Sequence, residues 1–354
     1  MKKYFFFFLI ITACKFDTDQ NQPDSTIDLG PSGPNKSYGY INNITKFDQL
    51  FELKDTVYLD TDSNALLNRP WKVKIRDDKF FILDKMGSNV IQVFTNSGNY
   101  LGKVGSIGAG PGEYKSAELM EIINDELFVY DIELNRVTVF DTKSNRFLRS
   151  WKTEKYYSSL VAIKGKLVFL NLYGQGYEND FDVLDKNGIL ISTGKFAKSL
   201  GESKRRYMFG GSFQLSVQSD HLLYIGADEF KILCYDIHEK KHLWISQMVP
   251  TKLKVPSELP TNIQKLGIKW MILNYSALKS LLTLNNGLIL LFADDYIVIY
   301  DDGGNYLKMI KNPYPTAFFT TNSSRLLLFR DGVMDKNGNL SNPMVLVYEC
   351  VKSS

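Results

Sequence analysis

The chain has 354 residues, of which 44% are hydrophobic and 23% charged, and its formal net charge is +3. The charge falls to +1 once Lys2 and Lys3 leave with a predicted signal peptide, so nothing indicates a nucleic-acid partner. About 300 residues beyond the amino-terminal region are enough for one large folded domain. No segment approaches the roughly 18 consecutive apolar residues that a membrane-spanning helix needs.

The first 14 residues predict export and lipid anchoring. A positive stretch at residues 1–3 precedes a short apolar run at residues 4–12, which is typical of a signal peptide. The following Ile11-Thr12-Ala13-Cys14 resembles the lipobox of bacterial lipoproteins. This resemblance implies a signal peptide at residues 1–13 and a lipidated Cys14, so that a membrane is one partner. The alternative is a signal cleaved nearby without lipidation.

Residues 14–40 are predicted to be a flexible tether. They are rich in Pro, Gly, Ser and Asn, a composition that cannot bury a core. Lys15, Asp17 and Asp19 resemble the acidic export signal of surface lipoproteins in Bacteroidota, although a solvated tether explains these charges equally well. Residues 41–354 then form the folded domain.

A short apolar sequence repeat occurs six times in that domain and predicts its architecture. The copies are Val90–Phe94, Arg136–Asp141, Phe181–Asp185, Lys231–Asp236, Tyr296–Asp301 and Met344–Glu349. Successive copies are 46, 44, 51, 65 and 48 residues apart, counted from Phe94 to Tyr348. A period of this size in strand-rich sequence is typical of propeller blades.

Apolar strands and turn residues around each copy predict four antiparallel strands per blade. The sixth unit lacks its last strand, because the chain ends at Ser354 just after the third. Residues 49–60 are strand-like and belong to no complete unit. We therefore predict an all-β, six-bladed propeller whose ring is closed by an amino-terminal strand. The alternative is a free amino-terminal hairpin.

The segment Gly105–Tyr114, with the sequence GSIGAGPGEY, is the sharpest local motif. With the lipobox and the six repeats, it resembles the six-bladed β-propeller lipoproteins of Bacteroidota, often called TolB-like or NHL-like. The resemblance implies the fold and a cell-envelope location, and no established reaction. A nucleotide-binding role is disfavoured, since strands flank the motif on both sides. The structural alternative is a tight turn in which Glu113 accepts backbone N–H bonds.

Few residues point to enzyme chemistry. The histidines, His221, His238 and His242, lack zinc-ligand spacing, and no Gly-x-Ser-x-Gly elbow is present. We expect no cofactor and no metal. Cys234 replaces an apolar residue of the repeat and is predicted to be buried, and a disulfide with Cys350 is not expected because their blades are not neighbours. An enzyme, which is the less favoured class, would be a carboxylate- or metal-dependent hydrolase or lyase acting at the propeller channel.

Two long connections, residues 196–211 and 249–275, should emerge on the same mouth of the channel as Gly105–Tyr114. The candidate binding face comprises Glu113, Tyr114, Arg205, Arg206, Tyr207 and Trp270. Arg and aromatic side chains suit anionic or carbohydrate-like ligands and protein partners. The alternative is that these loops, with a short helix predicted over residues 261–273, only cover the ring. The sequence thus predicts a monomeric binding module in the cell envelope, anchored to the outer membrane and either periplasmic or surface-exposed.

Overall fold

The structure is a computed structural model, and it describes residues 38–60, 67, 70–85, 89–171, 177–196, 214–218, 220–225, 230–246, 252–254, 278–293, 295–315, 318–322, 325–330 and 342–351. These residues form six four-stranded antiparallel sheets, one two-stranded pair and two short helices. The predicted six-bladed, all-β propeller is confirmed.

Each of blades 1 to 5 is a sheet of four consecutive strands, of which the first lies at the central axis and the fourth lies outermost. Blade 1 contains β2 (Pro70–Arg76), β3 (Lys79–Asp84), β4 (Ile91–Thr95) and β5 (Tyr100–Val104). A short pair, β6 (Ser106–Ile107) and β7 (Glu113–Tyr114), separates it from blade 2. Blade 2 contains β8 (Ala117–Ile123), β9 (Glu126–Asp131), β10 (Arg136–Asp141) and β11 (Phe147–Lys152).

Blades 3 to 5 repeat this order. Blade 3 contains β12 (Tyr157–Ile163), β13 (Lys166–Asn171), β14 (Phe181–Leu184) and β15 (Leu190–Gly194). Blade 4 contains β16 (Gln214–Gln218), β17 (His221–Ile225), β18 (Ile232–Asp236) and β19 (Lys241–Ile245). Blade 5 contains β20 (Leu278–Thr283), β21 (Ile289–Ala293), β22 (Tyr296–Tyr300) and β23 (Tyr306–Lys311).

Blade 6 combines the two ends of the chain. Its inner strands are β24 (Phe318–Asn322), β25 (Arg325–Arg330) and β26 (Met344–Cys350), and its outermost strand is β1 (Phe51–Tyr58). β1 pairs antiparallel with β26, from Phe51 opposite Cys350 to Tyr58 opposite Met344. The predicted closure by an amino-terminal strand is therefore confirmed, and the free hairpin is excluded. Closure gives β26 a partner on its outer side, so blade 6 has four strands like the other blades.

The innermost strands β2, β8, β12, β16, β20 and β24 contact one another in succession, and β24 returns to β2. They therefore surround a central axis. The six apolar sequence repeats form the third strand of each blade, and their central residues are buried between neighbouring blades. These residues are Val93, Val139, Val183, Leu233, Val298 and Leu346.

The segment ahead of β1 also packs against the propeller. A 3₁₀ helix (Gly39–Asn43) and α1 (Phe47–Leu50) bury Ile41, Phe47 and Leu50 against the boundary between blades 5 and 6. The Tyr38 ring is buried in the same cluster, and its hydroxyl donates to the Asn286 carbonyl at 3.0 Å. Packing thus extends to Tyr38, a little before the predicted domain start at residue 41.

Candidate functional site: a charged cluster at the central channel

The central channel holds a cavity of about 380 Å³, to which the innermost strands of all six blades contribute. Its lining residues are Lys74, Ile75, Arg76, Glu121, Ile122, Val161, Ala162, Ser216, Leu281, Leu282, Thr283, Thr320 and Thr321. Every charged residue among them, Lys74, Arg76 and Glu121, comes from blade 1 or blade 2. The other four blades contribute aliphatic and hydroxyl side chains. The channel therefore has one charged side and one uncharged side.

The charged side belongs to a larger group at the boundary between blades 1 and 2. We call this group the charged cluster, and it comprises Lys72, Lys74, Arg76, Lys85, Glu118, Glu121 and Asp125. Side chains alternate between the two faces of a strand, so Lys72, Lys74 and Arg76 share one face of β2. Their acidic partners lie on β8 and in the turn that follows it.

Three ion pairs join the two blades in this cluster. The Lys74 ammonium lies 2.6 Å from the Glu121 carboxylate, whose side chain is only 10% exposed. Nearer the start of β8, the Lys85 ammonium pairs with the Glu118 carboxylate. At the far end of β2, an Arg76 guanidinium nitrogen lies 3.0 Å from the Asp125 carboxylate.

Asp125 also accepts a hydrogen bond from Lys143 at 2.6 Å. The hydrogen bonds from Lys143 and then Arg76 hold the pKa of Asp125 below its ordinary value. Asp125 is therefore ionised at neutral pH, and this end of the cluster is fully paired.

Lys72 differs from the other basic residues of the cluster. It is half-buried, and no hydrogen bond or ion pair engages its ammonium among the residues that the structure describes. Burial, and after it the charge of Lys74, lower the pKa of Lys72 to about 8, although Glu118 and Glu121 act in the opposite direction. Lys72 is thus a cation without a direct partner, two residues before Lys74 on β2.

A second cavity, of about 600 Å³, lies between blades 6 and 1. Its apolar residues, Val57, Ile75, Phe80, Leu327 and Val347, are surrounded by charged groups of both signs. Ile75 and Arg76 line this cleft and the channel alike, so the two cavities are neighbours on either side of β2.

The glycine-rich motif forms a compact loop between β5 and β8. The Gly110 N–H donates to the Glu113 carboxylate at 2.7 Å, so the predicted backbone-capping role of Glu113 is confirmed. The Tyr114 hydroxyl donates to the Val104 carbonyl at 2.5 Å and accepts from the Ile91 N–H at 2.8 Å. Arg136 of β10 donates to the carbonyls of Ala109 and Gly110 at 2.8 and 3.2 Å.

The loop leads directly into the charged cluster. Tyr114 is completely buried, so it stabilises the loop and offers no surface to a ligand, whereas Glu113 is half-buried. Immediately after the loop, the Lys115 N–H donates to the Asp131 carboxylate at 2.5 Å, and Glu118 follows three residues later. The motif therefore fixes the start of β8, from which Glu118 and Glu121 project.

The other residues of the predicted binding face, Arg205, Arg206, Tyr207 and Trp270, lie outside the described residues, as does the helix predicted over residues 261–273. Their role in binding stays a prediction. Cys234 is buried as predicted, and Cys234 and Cys350 are both free thiols.

Groups of three or more potential metal ligands are not found in the described part of the chain. The described histidines are separate from the channel lining. His221 Nε2 lies 3.8 Å from the Asp236 carboxylate, and burial lowers the pKa of His242. Across the described ranges, no helix is long and apolar enough to cross a membrane.

The ring of six sheets defines a six-bladed β-propeller, and comparison with known proteins gives its family. Residues 24–241 match the family described as a domain of unknown function, DUF4934, and the chain belongs to that family. No curated protein matches the chain significantly.

Solved structures share the fold. One is a Bacteroides fragilis protein assigned as exported, with a TM-score of 0.65 and 14% identity over 87% of this chain and 97% of that one. Another is U3-55K, with a TM-score of 0.50 and 12% identity over 82% of this chain and 98% of that one. At these identities the similarity shows the propeller fold alone.

The charged cluster was not among the sites predicted from the sequence, although a signal for it was present. Lys72, Lys74 and Arg76 alternate along a strand that should be innermost, and Glu118 and Glu121 occupy the corresponding strand of the next blade. Charged side chains on strands that surround a closed channel cost free energy unless they are paired. Basic residues on one innermost strand and acidic residues on the next were therefore the sequence signal for an ion-paired cluster.

Proposed function

We propose that this chain is an exported binding protein whose central channel holds a small-molecule ligand against the charged cluster. The observation that carries the proposal is that, among the described residues that line the channel, the charged ones all belong to blades 1 and 2. A propeller does not need such a cluster to close, since the other blades line the channel with uncharged residues. Withdrawing the Glu121 carboxylate, which is only 10% exposed, from water costs free energy, which a ligand-binding role explains.

Binding is favoured over the alternative of a carboxylate-dependent hydrolase or lyase. Such an enzyme needs a carboxylate free to act on the substrate or to hold a metal. Glu118 and Glu121 are each paired with a lysine of blade 1. The cluster is therefore better suited to recognising a charged group than to transferring a proton from its carboxylates.

The proposal also includes the finer location: a lipid anchor at Cys14 and attachment to the outer membrane. Its support is the lipobox-like Ile11–Cys14 and the likeness to an exported propeller of Bacteroides fragilis. The proposal further includes a protein or carbohydrate-like partner that binds at the mouth of the channel. The candidate residues for this contact are Glu113, Arg205, Arg206, Tyr207 and Trp270.

Native mass spectrometry of protein isolated from the envelope of the producing cells tests the channel site. Ala162 lines the channel, and an Ala162→Trp variant fills the cavity, whereas Ala109→Trp places the same side chain on the exposed motif loop. We expect a small molecule to accompany the wild-type and Ala109→Trp proteins and to be lost from Ala162→Trp. Retention of the same molecule by Ala162→Trp, or its absence from the wild type, would contradict a channel site.

A further inference from the structure

We infer that the channel ligand is a small organic oxyanion, a carboxylate or phosphate with an apolar body, whose anionic group pairs with Lys72. The inference rests on the proposed function, because it names the class of ligand for the same channel. It is supported by the lack of a carboxylate partner for Lys72, by the surroundings of Lys72 and by the uncharged side of the cavity.

Lys72 is the one basic residue of the charged cluster that has no carboxylate partner among the described residues. The cluster's four basic residues, Lys72, Lys74, Arg76 and Lys85, face three acidic residues, Glu118, Glu121 and Asp125. Each acid is matched to one of the other cations. Lys143 adds a second positive charge at Asp125, and Asp77 adds a second negative charge at Arg76. An incoming oxyanion would give Lys72 a partner without breaking any of the three ion pairs.

Lys72 is also in an environment that favours an incoming anion. Its side chain is half-buried and shares a face of β2 with Lys74, which lines the channel, and the charges of Lys74, Glu118, Glu121 and Lys85 all act on it. A partly desolvated ammonium next to other ammonium groups is destabilised, and an oxyanion relieves both the desolvation and the repulsion.

The remainder of the cavity suits an apolar body. Across from the charged residues, Val161, Leu281 and Leu282 supply aliphatic surface, and Ser216, Thr283 and Thr320 supply hydroxyl groups. The volume of about 380 Å³ lies at the lower end of the range for ligand sites, roughly 300–1,000 Å³. An inorganic ion alone would leave most of this space to water.

Four probes with the same eight-carbon chain separate the contributions: octanoate, octyl phosphate, octanol and octylamine. We expect calorimetric titration of the wild-type protein at pH 7 to show binding of octanoate, octyl phosphate or both, at least tenfold tighter than octanol. Octylamine should bind more weakly than octanol. The first two probes also determine whether a carboxylate or a phosphate is preferred.

Three variants assign the effect to Lys72. Lys72→Met removes the charge at similar length and should weaken binding of the anionic probes at least tenfold while leaving octanol unchanged. Lys72→Arg keeps the charge and should retain most of the binding. Lys103→Met, at an exposed position of β5, is the matched control and should behave as the wild type. Melting temperatures confirm that each variant is folded.

The pH dependence provides a readout that a purely structural role would not produce. Above about pH 8, affinity for the anionic probes should fall with rising pH in the wild type, because Lys72 loses its proton, and should stay level in Lys72→Arg. Equal affinities for octanol and octanoate, no binding of any probe, or an unaltered affinity in Lys72→Met would overturn the inference. Loss of the co-purifying small molecule from Ala162→Trp in native mass spectrometry separates these outcomes from failure of the channel site itself.

Discussion

The ammonium of Lys74 lies 2.6 Å from the carboxylate of Glu121, and the two residues belong to the innermost strands of different blades. They are 47 residues apart in sequence. The pair therefore joins blade 1 to blade 2 at the channel wall. A second lysine, Lys72, lies two residues away on the same strand and has no direct partner among the described residues.

This arrangement predicts that removing Glu121 and removing Lys74 lower the free energy of unfolding by different amounts. Glu121→Gln leaves Lys74 without its carboxylate partner, and we expect it to lower the free energy of unfolding by about 2 kcal/mol. Lys74→Met should cost less, about 1 kcal/mol, because Lys72 can move towards Glu121. Urea unfolding of both variants measures the difference, and a larger loss in Lys74→Met would contradict the compensating role of Lys72.

Lys72 itself should reduce stability at neutral pH. Its pKa is about 8 in the folded protein, below the ordinary value of 10.5, so the unfolded chain binds the proton more tightly. The resulting cost is fully present below pH 8 and disappears as pH rises towards the unfolded value. We expect Lys72→Met to be more stable than the wild type by about 1–3 kcal/mol at pH 7. The advantage should shrink steadily between pH 8 and 10. A difference that is independent of pH would be inconsistent with a destabilised ammonium.

The motif loop should tolerate no side chain at Gly105. This glycine has φ +70°, and an added Cβ would lie 2.6 Å from the Tyr114 ring and 2.9 Å from the Gly112 carbonyl oxygen. Gly165 is the matched control, since it has φ +73° and open space around its Cα. Gly165→Ala should cost about 1–2 kcal/mol for backbone strain alone. Gly105→Ala should cost at least about 2 kcal/mol more, because the clash adds to that strain. Thermal unfolding of the two variants compares them, and equal losses would show that the loop yields without cost.

Lipid attachment is predicted to depend on one residue. Cys14→Ala removes the thiol that the lipobox-like sequence would present, so we expect the variant to lose fatty-acid labelling and to be released in soluble form. Metabolic labelling with a radioactive fatty acid measures this, and Cys350→Ala is the control. Undiminished labelling of Cys14→Ala would remove the anchor from the proposal.

The repeating part of the fold was predictable because it depends on local pattern. Phe94, Phe140 and Tyr300 each end an apolar run that must be buried between blades, and the spacing of these runs gives the number of blades. Closure was also predictable, since the residues around Phe51 formed a strand without a partner and the last blade lacked one.

The charged cluster was not predictable in the same way. Lys74 and Glu121 look like ordinary alternating charges within their own strands, and only the contact between adjacent blades makes them a pair. The buried position of Tyr114 has a similar origin, because the Val104 carbonyl and the Ile91 N–H that bind its hydroxyl lie in strands of the preceding blade. Such contacts depend on how neighbouring blades pack, so they leave no periodic pattern in the sequence.

The most direct test of a channel site for organic anions is a crystal structure with 8-bromooctanoate, whose bromine can be located by its anomalous scattering. The account predicts one bromine peak inside the channel, beside Val161, Leu281 or Leu282, with the carboxylate within hydrogen-bonding distance of Lys72. A peak in the cleft between blades 6 and 1, a peak on the outer surface alone, or a channel without bromine at saturating probe would contradict it.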